Sequence, residues 1–239
     1  MTATHFKTTA RAQEVKPGHP LVPISITVND RAATREAIIR EVRSFGHRFV
    51  ERSEWGAHKS TGPLNDDWDY SMIALHHAGR SYSCGSGTKQ MLATQEAQQA
   101  KKFFDIGYHF GIDCSGAIYE GRDIRFKGSN VLEYNTSVIG VVLLNNLTTA
   151  KEGDDLVAYW RESLETFGVN TTDQIPAPQE IAMFNLIAAL ESVFAIKHFG
   201  GHREYPGQRT DGKVCPGHIG MELVRTIRAK TQLLPPPTS

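Results

Sequence analysis

Three short segments carry side chains able to bind a metal ion. Leu75-His76-His77 closes a short apolar run, Gly201-His202-Arg203-Glu204 offers another histidine, and Lys213-Val214-Cys215-Pro216-Gly217 offers a cysteine. Zinc accepts imidazole nitrogen and thiolate sulfur in tetrahedral sites, and a catalytic zinc keeps three protein ligands and leaves the fourth place to water. Spacing alone does not single these residues out. His202 and Cys215 lie 13 residues apart, His76 lies 126 residues before His202, and ten histidines compete, His109, His198 and His218 among them. His198 stands four residues before His202 and reads as a cation near a helix C-terminus.

Such donors must be presented by strands and helices. Met72 to Leu75 reads as a buried strand with the histidines at its C-terminal end, and Val138 to Leu144 as a central strand covered on both faces. Shorter strand-like pieces run from Tyr108 to Asp113 and from Ala117 to Tyr119, and a β-prone run spans Ile24 to Val28. Helical stripes are expected at Ile38, Val42 and Phe45, at Ala93, Ala97, Ala100 and Phe104, and at Leu156, Val157, Trp160, Leu164 and Phe167. A long helix through Ile181, Phe184, Ile187 and Phe194 is expected to end at Gly200-Gly201. A last helix has Leu223, Val224 and Ile227 inward, and Pro235-Pro236-Pro237 reads as an extended or flexible tail. Strands interspersed with helices make this an α/β domain around a central sheet.

Composition narrows the function. Lysine plus arginine equals aspartate plus glutamate at 26 each, so there is no basic excess for nucleic acid. No stretch approaches the ~20 apolar residues of a membrane span, and the polar N-terminus lacks the pattern of a Sec signal. Three cysteines are too few for a disulfide framework. At most one pair, Cys84 with Cys114, is available for a bridge.

Arg52-Ser53-Glu54-Trp55-Gly56-Ala57 resembles the opening motif of peptidoglycan recognition proteins. The segments that follow resemble those proteins and the phage-type zinc amidases, together the type 2 N-acetylmuramoyl-L-alanine amidases. They are Leu75-His76-His77, Asp105-Ile106-Gly107-Tyr108-His109-Phe110, Gly116 to Arg122, Tyr134-Asn135 with Ser137 to Gly140, Gly201-His202-Arg203 and Cys215-Pro216-Gly217. Their order is the family's from about residue 50 to 225.

The resemblance implies a mixed central β-sheet flanked by helices in a domain from 51 to 230. An N-terminal extension with one helix (1–50) would precede it and a flexible tail (231–239) would follow. It implies Zn2+ on His76, His202 and Cys215, with His77 structural, and catalytic roles for Tyr108 and Lys213. Arg122, Asn135 and Arg203 become candidate contacts to the stem peptide. The implied activity is hydrolysis of the lactyl–L-alanine amide of peptidoglycan by a wall-degrading effector or lysin. Family members without the cysteine bind muropeptides and do not cleave them, so a non-catalytic recognition protein is the alternative and Cys215 favours the enzyme. Without a Sec signal the chain is expected to be made in the cytoplasm and to reach peptidoglycan in the periplasm or outside the cell, with an immunity or export partner as a further expectation. Two departures stand out. Gln90 and Met91 occupy the place where animal members staple Cys84's loop with a second cysteine, and Asp123-Ile124 match neither pair associated with lysine or diaminopimelate stems, which leaves the stem type open.

Overall fold

The structure, a computed structural model, describes residues 30–79, 82–149, 152, 174–208 and 213–238. The expected strand at Ile24–Val28 and the stripe from Leu156 to Phe167 lie outside the described residues. The described chain is a six-stranded mixed sheet with helices packed on it, an α/β domain as the sequence implies. The strands are β1 (Phe49–Val50), β2 (Met72–His77), β3 (Phe110–Ile112), β4 (Ile118–Glu120), β5 (Val138–Leu143) and β6 (His198–Gly201), in the spatial order β1-β4-β3-β5-β2-β6. Only β3 and β4 pair antiparallel. The helices among the described residues are α1 (Asp30–Ser44), α2 (Gly87–Ala100), α3 (Ala177–Glu191) and α4 (Gly217–Thr231). None is long and apolar enough to cross a membrane.

Strand alternation divides the core. On β2 and β5, Ile73, Leu75, Ile139, Val141 and Leu143 join Ile38, Ile39 and Val42 of α1, Met183, Leu186 and Leu190 of α3, and Val224 and Ile227 of α4 in one apolar cluster. Met72, Ala74 and Val138 pack instead with Val131 and Tyr205. Each fully buried Leu or Ile contributes ~1.5–3 kcal/mol, so α1 belongs energetically to the same core as the sheet. A polar clamp fixes it further. Arg35 donates to both carboxylate oxygens of the buried Glu120 on β4, at 2.6 and 2.7 Å, and to Glu51 at 3.0 Å.

Three expectations are corrected. The buried side of α2 is Met91, Thr94 and Gln95, while Ala93, Ala97 and Ala100 face solvent and Phe104 lies beyond the helix. The polar side faces inward because it satisfies loops: Gln95 donates to Asp105 Oδ1 at 2.6 Å and Gln98 accepts from Gly107 N at 2.7 Å. Helix α3 ends at Glu191, not at the glycine pair. Gly200 and Gly201 are strand residues, glycine because a Cβ would collide with Pro236 and with Met221 and Pro216. His198 therefore opens β6, bonded to Pro235 O at 2.7 Å. Leu233 and Leu234 run beside it, with Phe199 N donating to Leu234 O at 2.9 Å.

Cys84 and Cys114 form a disulfide joining the segment before α2 to the β3–β4 turn. Gln90, standing where a family partner cysteine is expected, closes the same loop by donating to Ser83 O at 2.6 Å.

Arg35→Ala should lower the unfolding free energy by about 2–4 kcal/mol, because it strands the buried Glu120 carboxylate. The Arg35 hydrogen bond holds the Glu51 carboxyl below its ordinary 4.5. A depressed folded-state pKa stabilises above the unfolded value and is lost as pH falls through the folded one. Wild-type stability should therefore fall below about pH 4.5, more steeply than that of Arg35→Ala. Urea melts between pH 6 and 3 check both, and parallel profiles would contradict the clamp.

Candidate metal centre

The alternation that sorts the core also sorts the two histidines. His76 shares the face of Met72 and Ala74, which is left to α2 and to loops, and His77 turns toward the layer formed by α1, α3 and α4. There His77 Nδ1 accepts the backbone N–H of Leu147 at 3.3 Å. Strand β6 runs parallel to β2, with Leu75 opposite Gly201, so His202 leaves the same end of the sheet in a short 3-10 turn, His202–Glu204. Cys215 stands just before α4 and comes back over that end. The donor atoms of His76, His202 and Cys215 all lie within 4.8 Å of one another.

Each imidazole is aimed by a side-chain amide. His76 Nε2–H donates to Asn130 Oδ1 at 3.1 Å, leaving Nδ1 facing Cys215 Sγ at 3.6 Å. His202 Nε2–H donates to Gln208 Oε1 at 3.2 Å. The amides are themselves anchored, since Asn130 Nδ2 donates to Gly107 O at 3.4 Å and Gln208 Nε2 to Leu132 O at 2.9 Å. Gly140 leaves room for this: a Cβ there would lie 2.5 Å from the Asn130 amide carbon. Such outer partners fix the tautomer and ring angle of metal-binding histidines. Neither Asn130 nor Gln208 was singled out in the sequence, where a lone amide carries no pattern.

Electrostatics keep the donors neutral. Burial lowers His76 well below the ordinary imidazole value, helped by the neighbouring His202 and opposed by Asn130. Burial, together with the Lys213 charge, lowers His202 to about 4 against the Gln208 bond. Both rings therefore have a free lone pair at neutral pH. Burial pushes the Cys215 thiol up to about 12, offset in part by a hydrogen bond from the His77 backbone and by Arg203. Among the described residues Arg203 offsets that burial only in part, and a bound metal favours the thiolate directly. Two imidazoles and a thiol at 3.6 Å suit a tetrahedral ion whose bonds are about 2.0–2.3 Å.

Tyr108 joins the centre, its ring 4.8 Å from that of His76. Burial raises its hydroxyl, with Cys215 and Tyr82 adding to the effect, so it stays protonated at neutral pH. Lys213 is exposed beside Cys215. The remaining expected residues are tied into the scaffold. Arg122 is buried and donates to Ile106 O, Lys127 O and Asp105 O at 2.8, 2.7 and 3.1 Å, pinning the segment that leads into Tyr108. Asn135 Oδ1 accepts from the N–H groups of Asn130 and Val131 at 2.7 and 2.8 Å. Arg203 donates to Glu152 at 2.8 Å and to Val214 O, while its own N–H bonds Cys215 O at 3.0 Å. Each thus fixes a segment bearing a residue of the centre. Of the competing histidines, His109 is buried between Gly140 N and Phe126 O, and His218 pairs with Glu222 at 3.3 Å.

A mixed sheet with two strand-end histidines, a loop cysteine and a neighbouring tyrosine defines a class, and comparison with known proteins agrees. The family model described as N-acetylmuramoyl-L-alanine amidase matches residues 66–218. The chain belongs to that family. Among curated relatives, peptidoglycan-recognition protein LB of Drosophila melanogaster is 31% identical over 106 residues, which are 43% of this chain and 46% of that protein. The chain thus spans about half the length of the curated relatives it matches. The solved structure of Drosophila PGRP-LB superposes with a TM-score of 0.57 at 26% identity, covering 77% of this chain and 94% of that one. A point mutant of that protein was solved in complex with tracheal cytotoxin. The endolysin amidase LysCS from Clostridium intestinale shares the fold, with a TM-score of 0.56 at 20% identity over 78% of this chain and 96% of its own.

Replacing Asn130 or Gln208 with alanine should weaken metal affinity by about 10–100-fold while the chain stays folded. Competition with a chromogenic chelator, using zinc as the probe, measures this. Unchanged affinity in both variants would show that the amides do not orient the imidazoles.

Proposed function

We propose that the chain is a zinc-dependent N-acetylmuramoyl-L-alanine amidase that hydrolyses the amide between the lactyl group of N-acetylmuramic acid and L-alanine. The observation that carries this is Cys215 completing the donor set with His76 and His202 beside a protonated Tyr108. His76 and His202 would hold the ion through Nδ1 and Cys215 through Sγ. Zinc, when bound, supplies Lewis acidity toward a water molecule and toward the amide carbonyl.

The protein's own groups do the rest. Asn130 and Gln208 hold the rings in the required tautomer. Tyr108 donates its hydroxyl proton in a hydrogen bond to the carbonyl oxygen as negative charge develops there, and the Lys213 ammonium adds positive field from the rim. In the balanced reaction the carbonyl carbon gains the oxygen of water, the C–N bond breaks, and the proton goes to the departing amino group of L-alanine.

The Cys84–Cys114 bridge, exposed at Cys84 and half-buried at Cys114, suits a protein that works in an oxidising compartment, in keeping with action on the wall outside the cytoplasm. A wall-degrading effector or lysin fits that setting, with an immunity or export partner as its companion. The competing reading is a recognition protein that binds muropeptides without cutting them, favoured by the names of the curated relatives.

Digestion of purified sacculi separates the two. Mass spectrometry should find stem peptides beginning at a free L-alanine, abolished by chelation and restored by zinc. Cys215→Ala should lose this activity, and Tyr108→Phe should lose ~10²–10³ in kcat while keeping its metal. Strands that bind the protein but gain no amino termini would establish the recognition module instead.

A further inference from the structure

At the end of the sheet away from the metal centre lies a cleft of about 250 Å³. Residues Trp68 to Ser71, which lead into β2, form one side, and residues between α3 and β6 form the other. The backbone ties the two sides together. Ser71 O accepts the N–H groups of Lys197 and His198 at 2.8 and 3.1 Å, and Phe194 N donates to Leu190 O at 2.8 Å. On the parallel strands β2 and β6, His76 and His202 stand five residues beyond Ser71 and Lys197, on the order of 16 Å along the chain. The cleft is therefore separate from the metal centre.

Its walls are aromatic. Phe194 meets Trp68 at 5.7 Å and the buried Tyr70 at 5.2 Å, each with the rings 79° apart. Edge-to-face packing turns these rings into a corner and leaves Trp68 and Phe194 half-buried. Tyr70 is locked beneath them, its hydroxyl donating to Phe126 O at 2.9 Å. At the rim stand Asp69 and Lys197, both exposed and both without a side-chain partner among the described residues.

These groups select a class of ligand. A cation meets the like charge of Lys197 and an anion that of Asp69, so neither gains from the pair. A neutral molecule with donors and acceptors satisfies both: its O–H or N–H groups donate to Asp69 and its oxygens accept from Lys197, in bonds strengthened by the charges. The walls require an apolar face as well. A pyranose ring has C–H groups on its faces and hydroxyls round its edge, and the negative faces of aromatic rings attract such C–H groups. An N-acetyl substituent adds an amide for the rim and a methyl for Val193. The volume falls below the ~300 Å³ at which pockets for drug-sized molecules begin, which suits one sugar residue.

We infer that this cleft is a carbohydrate site that takes one N-acetylhexosamine residue of a glycan strand and anchors the protein to its polymer. The polymer's identity as peptidoglycan rests on the amidase reading above, while the cleft's preference for a neutral N-acetylated sugar does not. A strand held at this end of the sheet leaves the metal centre free for a neighbouring stretch, and the tether raises the local concentration of bonds to be cut.

Titration of the full chain with triacetylchitotriose, an uncharged N-acetylglucosamine trimer without a stem peptide, tests it by nuclear magnetic resonance. Trp68→Phe assigns the indole N–H signal of Trp68. That signal should move saturably with the trimer, and that of the buried Trp55 should stay still. Asp69→Ala and Lys197→Ala, at exposed positions that leave the fold intact, should each weaken binding by about tenfold. On insoluble sacculi both variants should release stem peptides more slowly, with kcat/KM on a soluble muramoyl dipeptide equal to the wild type's. An unmoved Trp68 signal, affinity unchanged in both variants, or displacement of the trimer by free phenylalanine, a zwitterion that could use the same charge pair, would overturn the carbohydrate site. Equal loss on sacculi and on the soluble substrate would overturn the anchoring. If the protein cuts neither substrate, the amidase reading fails and retention on sacculi replaces the rates: retention lost in the two variants sustains the anchoring, and retention unchanged overturns it.

Discussion

Two imidazoles and a thiol can share one cation only if each ring is held with an unprotonated nitrogen inward, and here the amide oxygens of Asn130 and Gln208 do the holding. The surrounding structure serves those two bonds. Asn135 fixes the backbone of Asn130, Gly140 clears the space its amide occupies, and the Gln208 amide is turned by the carbonyls of Leu132 and Pro206. Arg203 draws the Cys215 segment onto the turn that carries His202. Burial then excludes protons from the rings, and it leaves the thiol dependent on a cation for its ionisation.

The same requirement explains the sheet. Parallel pairing of β2 with β6 brings their C-terminal ends together, so histidines 126 residues apart in sequence become neighbours. Pairing of β2 with β5 sets Ala74 opposite Gly140, which places the small residue under Asn130. One helical layer, α1, α3 and α4, covers the far face. The near face is left to α2 and to loops, whose polar contacts leave room for a site.

Much of this could be read from the residues. The run Val138 to Leu143 is β-branched or aliphatic apart from Gly140 and proved to be a fully buried central strand, and the stripe Leu223, Val224 and Ile227 lies inward as its spacing requires. The motif order pointed to the family, and the three donors meet as the resemblance implied. What escaped did so for physical reasons. Helix α2 buries Thr94 and Gln95 because neighbouring loops need hydrogen-bond partners, a demand that apolar periodicity does not register. Gly200 and Gly201 looked like helix terminators, yet they are glycine to let Pro236, Met221 and Pro216 approach a strand. Asn130 and Gln208 matter only through where their oxygens point, which no spacing encodes. The Cys84–Cys114 pair was visible as a pair, but its closure depends on how the loop before α2 meets the β3–β4 turn.

The donor set decides what chemistry the centre can do, and X-ray absorption at the zinc edge on the loaded protein reads it directly. The spectrum should show one sulfur at about 2.3 Å and two imidazole nitrogens at about 2.0–2.1 Å, with a lighter oxygen donor completing four. Cys215→Ala should lose the sulfur shell and keep the imidazoles. A wild-type spectrum without sulfur, or with a full set of four protein ligands and no open position, would contradict a catalytic centre built from His76, His202 and Cys215.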